Sequence, residues 1–287
     1  MAEKKKIKER IKATEKTYQI TEAMNMVSTA KLRRAQKSLE EFRPIQESIK
    51  ETMNSLLLNN PTVTAKALIP NQKKPCYILI SSDRGLIGNY NNSLFRFFES
   101  YIQEHHTSKK EFYVATIGYK AFSYAKKKGY KQLNKEPNNI RDDILFVDFE
   151  EVSNKITQGY VNNETGRTIV FYQKFINTMQ NKITVEQILP VIKDESYDKV
   201  DKTEYIFEPS LEVVLDEVIR LNISYTLYRI VLDAKTSEHA SRMNAMKNAS
   251  DNAKEIEERL TLLYNHARQN QITTELTDII NGSNAVS

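Results

Sequence analysis

From about residue 208 to the C-terminal end, core positions recur at alternating spacings of four and three, which is the seam of a coiled coil. One series runs Val218, Tyr225, Leu232, His239, Met246, Ala253, Leu260, Ala267; the interleaved series runs Val214, Leu221, Tyr228, Lys235, Arg242, Ala249, Ile256, Leu263. The pattern predicts one long helix reaching Asn281, with Gly282 as its cap. Charge interrupts the seam at Lys235, His239 and Arg242. A polar seam residue costs stability, so these three point to another demand, such as a shaft that touches partners along its length.

A second long helix is predicted over residues 3–58. Ile7, Ile11, Thr14 and Tyr18 follow helical spacing, and Ile20, Met24 and Val27 continue the stripe after a shift in phase. Pro44 marks a kink, and Asn59-Asn60-Pro61 ends the helix. This stripe is narrow, as suits packing on another helix, and the C-terminal heptads supply the partner. The two helices are expected to pair antiparallel as a rod, burying Ile7, Ile11, Ile20 and Val27.

Between them the period changes. Cys76–Ile80 is a short apolar run read as a buried strand, Asn91–Glu104 a helix, Phe112–Ile117 a strand and Tyr119–Lys128 a helix. Ile144–Val147 reads as a third strand, followed by a helix around 149–163. Strands follow at Thr168–Gln173 and Lys182–Ile188, then a charged connection over 190–208. Strands alternating with helices predict a Rossmann-like α/β domain with a mostly parallel sheet. The expected organisation is an N-terminal helix over 1–60, a linker over 61–75, a central α/β domain over 76–207 and a C-terminal helix over 208–287.

Composition adds limits. The 287 residues are 40% hydrophobic and 28% charged, with only 7 Gly and no Trp; few glycines favour long helices. The single cysteine, Cys76, excludes an internal disulfide and a cysteine metal cluster and fits a reducing compartment. No apolar run reaches the length of a membrane span, and the N-terminus lacks a signal peptide's apolar core. The net charge of +5 is unevenly placed: residues 1–37 hold eleven Lys/Arg against four Glu, a surplus of seven, which leaves the remainder two negative. Such a basic helix face fits nucleic acid, an anionic membrane, an acidic partner or plain solvation.

Catalytic motifs do not appear. The loop Ser82-Asp83-Arg84-Gly85-Leu86-Ile87-Gly88-Asn89 stands after the first strand, where nucleotide-binding folds place glycines. The chain contains neither G-x-G-x-x-G nor G-x-x-x-x-G-K-[ST], so a tight turn is favoured over a phosphate cradle. The four histidines have no metal-ligand spacing, and His105 and His106, at a helix end, are expected to be exposed. No cofactor, no metal and no catalytic residue is expected.

Five segments carry a family resemblance. Ile20-Thr-Glu-Ala-Met-Asn-Met-Val-Ser-Thr-Ala-Lys-Leu-Arg-Arg-Ala-Gln36 strongly resembles the N-terminal helix of the F1-ATPase/ATP synthase gamma subunits. Ser82-Asp-Arg-Gly-Leu86, followed by Asn92 and Phe95, resembles their central-domain loop. Ala240-Ser-Arg-Met-Asn-Ala-Met-Lys-Asn-Ala-Ser-Asp-Asn252, Tyr264-Asn-His-Ala-Arg-Gln269 and Ile272-Thr-Thr-Glu-Leu-Thr-Asp-Ile-Ile-Asn-Gly282 are similar to their C-terminal blocks. Residues 130–210 match no quotable motif. Asn89-Tyr90 stands where paired glycines are common, Asn25 where a charge often lies, and Ser283 where alanine is common.

The resemblance implies a non-catalytic rotor shaft that couples nucleotide turnover in a hexamer of alpha and beta subunits to rotation and proton translocation. An epsilon subunit and a c-ring would lie at its foot. It implies a bacterial-type protein, peripheral on the cytoplasmic side of the membrane, which it meets only indirectly, and no nucleic acid partner. Met24, Lys31, Arg33, Arg34, Arg242, Gln269, Thr273 and Glu275 fall on shaft positions expected to contact the ring. Asp83, Arg84, Gly85 and Gly88 fall on the central-domain turn. Two alternatives stay open at this point: a gamma-like shaft driving non-proton-pumping machinery such as motility, and a basic coiled coil that binds nucleic acid.

Overall fold

The computed structural model describes residues 2–139, 141–142, 144–192 and 206–286. Its elements in chain order are α1 (Ala2–Asn59), a short 3-10 turn (Lys66–Leu68), β1 (Cys76–Ile80), α2 (Tyr90–His105), β2 (Tyr113–Ile117), α3 (Tyr119–Lys128), α4 (Phe146–Val161), β3 (Thr168–Asn177), β4 (Gln180–Leu189) and α5 (Leu211–Val286). The chain forms two compact units. One is built from the described residues of Met1–Thr29 and Arg242–Ser287, the other from those of Ala30–Ser241.

The larger unit is a doubly wound sheet with strand order β2-β1-β3-β4. β1 pairs parallel with both β2 and β3, and β4 closes the far edge as the antiparallel arm of a hairpin. Alternation along the strands divides the core between the two faces. Tyr77, Leu79, Ile169 and Phe171 join Leu94 and Phe98 of α2 and Ala121 and Ala125 of α3. Cys76, Ile78, Ile80, Val170 and Tyr172 join Phe149 of α4, Met53 and Leu57 of α1, and Leu215 to Ala234 of α5. Two helical segments from opposite ends of the sequence therefore cover one face. Burial there pushes the Cys76 thiol pKa up to about 12, as expected for a thiolate denied solvent.

The smaller unit is an antiparallel helix pair. Lys4 Nζ donates to Gln271 Oε1 at 3.2 Å and Ser250 Oγ to Glu22 Oε2 at 3.0 Å, so low numbers on α1 meet high numbers on α5.

Several expectations are corrected. Ile144–Val147 is not a strand: α4 begins at Phe146, whose ring lies 4.4 Å from that of Tyr225, and helix packing overrides the β-branched local sequence. Gly282 does not cap α5, which continues through it to Val286. Pro44, where a kink was expected, lies within the continuous span of α1. The connection predicted over 190–208 falls, for residues 193–205, outside the described residues.

The seam of α1 also differs from the expected one. Ile7, Ile11, Thr14 and Tyr18 face inward as predicted, but no phase shift follows. Thr21, Asn25 and Ser28 continue the same row, whereas Ile20 and Val27 are 61% and 55% exposed. On α5, Met246, Ala253, Leu260 and Ala267 hold their predicted side. The interleaved inward row beyond them is Ser250, Glu257, Tyr264 and Gln271, one position later than predicted, and Ile256 and Leu263 are turned outward.

Candidate functional site

Of the expected charged break in the heptads, Lys235 and His239 lie inside the larger unit, and Arg242 belongs to the smaller one. Lys235 and His239 are buried among residues of α1, the β1–α2 turn and the segment before α4. Asp142 stands at the centre. It lies 2.7 Å from Lys31 Nζ, 3.3 Å from His239 Nε2 and 3.8 Å from Lys235 Nζ. Lys235 also reaches Glu238 at 3.3 Å and Asp83 at 3.9 Å. His239, Lys31 and Lys235 together hold the Asp142 carboxyl well below the usual carboxylate range, against the opposing effect of partial burial. Lys235 and His239 were expected to mark a surface for outside partners; instead both face carboxylates within the chain.

The turn after β1 shows why Asp83 matters. Its Oδ1 accepts the Tyr119 backbone N–H at 2.9 Å while Oδ2 faces Lys235. Ser82 and Asn91 bond across the turn, and Leu86 and Gly88 take positive φ values of 60° and 59°. Arg84, Gly85 and Leu86 are exposed at its tip. Tyr90, which stands where glycine was expected, is buried; its hydroxyl donates to the Ala234 carbonyl at 2.9 Å, and its own carbonyl accepts from Gln173 Nε2 at 2.5 Å. The departure from the expected glycine thus ties the turn to α5.

That arrangement answers the question of a nucleotide site. In doubly wound sheets, ligands bind outside the carboxyl ends of the strands, where the strand order reverses. Here that place is at β1 and β3. It is filled by α5: Phe175 N donates to Asp233 Oδ1 at 3.1 Å, and Tyr90 and Asp83 engage Ala234 and Lys235. Burial raises the Asp233 pKa, opposed by the Phe175 N–H and the charge of Arg229. A helix occupies the crevice that a dinucleotide would need.

The smaller unit carries the second feature. Its seam mixes polar and apolar residues on both helices, whereas Ile20, Met26, Val27 and Leu262 are all more than half exposed. A solvated helix pair ordinarily buries such residues and exposes polar ones.

The remaining predicted contact residues are distributed as follows. Met24 is half-buried, and its carbonyl accepts the Ser28 hydroxyl at 2.7 Å. Arg242 is half-buried, and Gln269, Thr273 and Glu275 are exposed along α5. Glu275 Oε1 accepts from Gln271 Nε2 at 2.6 Å, and the Thr273 hydroxyl donates back to the Gln269 carbonyl at 3.0 Å. In the larger unit, Arg33 and Arg34 are exposed and Lys31 is committed to Asp142. Of the predicted set, Asp83 is joined to the ionic cluster through Lys235 and Lys31 through Asp142. Asp142 itself was missed. Its partners lie about a hundred residues away on either side, so no local motif marks it; the unexplained polar seam residues Lys235 and His239 were the available signal.

His106 corrects a smaller expectation. Its side chain is 11% exposed, with Nε2 2.7 Å from the Tyr77 hydroxyl and Nδ1 3.2 Å from Glu111 Oε2.

Comparison with known proteins extends along the whole chain. A family model described as "ATP synthase" matches residues 3–286, including the stretch 130–210. The chain is 35% identical to the ATP synthase gamma chain of Staphylococcus haemolyticus over 288 residues, covering 100% of both chains. It is 34% identical to that of Geobacter metallireducens over 287 residues, covering 100% of this chain and 99% of the other. Among solved structures, the fold is similar to a chain of the Euglena gracilis mitochondrial ATP synthase OSCP/F1/c-ring assembly, with a TM-score of 0.68 at 18% identity over 99% of this chain and 95% of that one. It is also similar to a chain of the Tetrahymena thermophila mitochondrial ATP synthase central stalk and c-ring, with a TM-score of 0.61 at 24% identity over 80% of this chain and 99% of that one.

Proposed function

The chain belongs to the ATP synthase gamma-chain family, and from that membership we propose how its two units divide the work of a rotor. It is the central-stalk gamma subunit of an F-type ATP synthase and a non-catalytic rotor component. The helix pair of the smaller unit turns inside a ring of alpha and beta subunits. The larger unit carries the load towards an epsilon subunit and a c-ring, as the assemblies named for its structural relatives suggest.

The apolar residues left on the outside of the helix pair are the observation that carries this reading. Exposed Ile20, Val27, Leu262 and Leu276 form apolar surface that water does not favour. A surrounding protein sleeve removes it from solvent. Each beta subunit then meets a different side of an asymmetric shaft, and unequal contacts bias the three subunits towards different states. Arg33, Arg34, Arg242, Gln269, Thr273 and Glu275 supply the polar part of the grip and Met24 an apolar contact, while Lys31, also expected at the ring, is held by Asp142.

The Asp142 cluster supplies stiffness. Torque delivered along α5 reaches the sheet only if helix and sheet move together. Lys235 to Asp83, and Lys31, Lys235 and His239 to Asp142, join α1, α5 and the β1–α2 turn in one polar clamp.

Among the described residues no helix is long and apolar enough to cross a membrane. Attachment is therefore proposed to be peripheral, on the cytoplasmic side of a bacterial membrane and through partner subunits. The test is purification of the tagged chain with its alpha and beta subunits. We expect a complex whose ATP turnover drives rotation of a probe on the larger unit. A chain that recovers neither alpha nor beta subunits overturns the reading.

A further inference from the structure

The amino-terminal ends of β1 and β2, opposite the ends filled by α5, hold a concave surface of about 690 Å³. Lys74, Lys109, Lys110 and Lys131 line it together with Thr107 and Ser108. These lysines come from three separate segments: the approach to β1, the turn before β2 and the exit from α3. Three of the ammonium groups are held by neutral partners. Lys74 Nζ donates to the Lys110 carbonyl at 2.8 Å and Lys109 Nζ to the Lys128 carbonyl at 2.9 Å. Lys131 Nζ lies 3.4 Å from the Tyr113 hydroxyl and 4.7 Å above that ring.

Among the described residues, none of the four has a carboxylate within ion-pair distance. The nearby acids are committed elsewhere. Glu99 pairs with Lys128 and accepts the Tyr124 hydroxyl, and Glu111 accepts from Thr107 and lies against His106. Neutral partners fix the positions of the ammonium groups without cancelling their charge. Like charges gathered in one concavity repel one another, and a multiply charged anion relieves that repulsion.

We propose that this cradle, formed by Lys74, Lys109, Lys110 and Lys131 at the amino ends of β1 and β2, binds clustered phosphate groups such as those of pyrophosphate or a nucleoside polyphosphate. Concavity favours a compact ligand, since the volume falls within the ordinary range of small-molecule sites. The Ser108 hydroxyl, which accepts from the Lys110 backbone N–H, keeps its own hydrogen for a phosphate oxygen, whereas that of Thr107 is given to Glu111. The site is separate from the crevice that α5 fills, and nothing in the shaft's action requires it.

The test is titration calorimetry of the full chain with pyrophosphate and, in a parallel arm, sedimentation with phosphatidic-acid vesicles. Four chains are compared: the parent, a quadruple Lys→Gln variant at 74, 109, 110 and 131, the corresponding Lys→Arg variant, and a control with Lys5, Lys8, Lys12 and Lys16 changed to Gln. We expect saturable binding in the parent and the control, retained by the Lys→Arg chain and weakened at least tenfold by the Lys→Gln chain, with unchanged circular dichroism. Rising salt weakens it further. Binding of pyrophosphate identifies soluble phosphate as the source, and binding of vesicles alone identifies a lipid headgroup. Absence of binding to both, or equal losses in the cradle and control variants, overturns the proposal.

Discussion

Nε2 of His239 lies 3.3 Å from Oδ1 of Asp142, a contact spanning nearly a hundred residues that places a carboxylate beside two buried side chains of α5, His239 and Lys235. Asp142→Asn keeps the shape and removes the charge. Lys235 retains Asp83 and Glu238, so the loss is partial: about 1–2 kcal/mol of unfolding free energy, the scale of a hydrogen bond to a charged group. Urea unfolding of the parent and variant measures it. An unchanged midpoint refutes a stabilising clamp.

The same carboxylate predicts a pH dependence. Its folded pKa is depressed by His239, Lys31 and Lys235. Below the unfolded carboxylate value of about 3.9, the unfolded chain binds a proton that the folded chain does not, so stability falls as pH drops. Its contribution is complete above that value. Asp233, whose pKa is raised by burial, acts in the opposite sense. Thermal unfolding from pH 6 to pH 3 should show a shallower acid loss for Asp142→Asn than for the parent. Parallel curves would exclude Asp142 as a contributor.

The helix pair separates two kinds of apolar residue. Leu260, 6% exposed, belongs to the seam, whereas Ile20 and Val27 face outward. Leu260→Ala should destabilise the isolated chain by about 2–5 kcal/mol. Ile20→Lys with Val27→Lys should change isolated stability by no more than about 0.5 kcal/mol yet reduce recovery of alpha and beta subunits. A double variant that loses stability alone, with assembly intact, reverses the assignment.

These positions also mark what the sequence could disclose. The helices, four strands and parallel pairing were legible because apolar runs and period-2 alternation follow directly from burial. The series Met246, Ala253, Leu260 and Ala267 was legible for the same reason. Ser250, Glu257, Tyr264 and Gln271 were not, because apolar Ile256 and Leu263 one position earlier fit the usual rule that coils bury hydrophobes. A shaft that needs apolar surface outside breaks that rule, and the misread phase at Ile20 and Val27 has the same origin. Asp142 was hidden because charge pairing across distant segments leaves no periodic trace.

Gly118 tests the junction of sheet and turn. It has φ +92°, and a Cβ there would lie 2.2 Å from the Ser81 carbonyl oxygen. Ser81 N bonds the Ile117 carbonyl at 2.9 Å, so the backbone cannot withdraw without breaking the β1–β2 register. Gly118→Ala should cost at least the roughly 1–3 kcal/mol of an unfavourable backbone conformation. Gly129→Ala, also at positive φ but with open space around it, should cost less. Chemical denaturation of the pair measures the difference, and equal losses would mean that the close approach contributes nothing.

The last prediction concerns the polar grip. Arg33 and Arg34 are exposed on α1, and Arg242 is half-buried on α5. The surplus of positive charge over residues 1–37 is larger than the net charge of the whole chain. Lys235 and His239 have now been accounted for within the molecule, which leaves these arginines as the main basic candidates for the ring. A rotor has to be held at each dwell and released between dwells. Exposed ion pairs suit this because each contributes only about 0–1 kcal/mol. Reversing Arg33, Arg34 and Arg242 to Glu should leave most of the isolated fold intact while lowering coupled ATP turnover and rotation in the reconstituted complex. Raising salt should weaken the parent in the same direction, since screening acts on exposed charges first. Glu reversal that leaves assembly, turnover and rotation unchanged would reduce these charges to a solvated face.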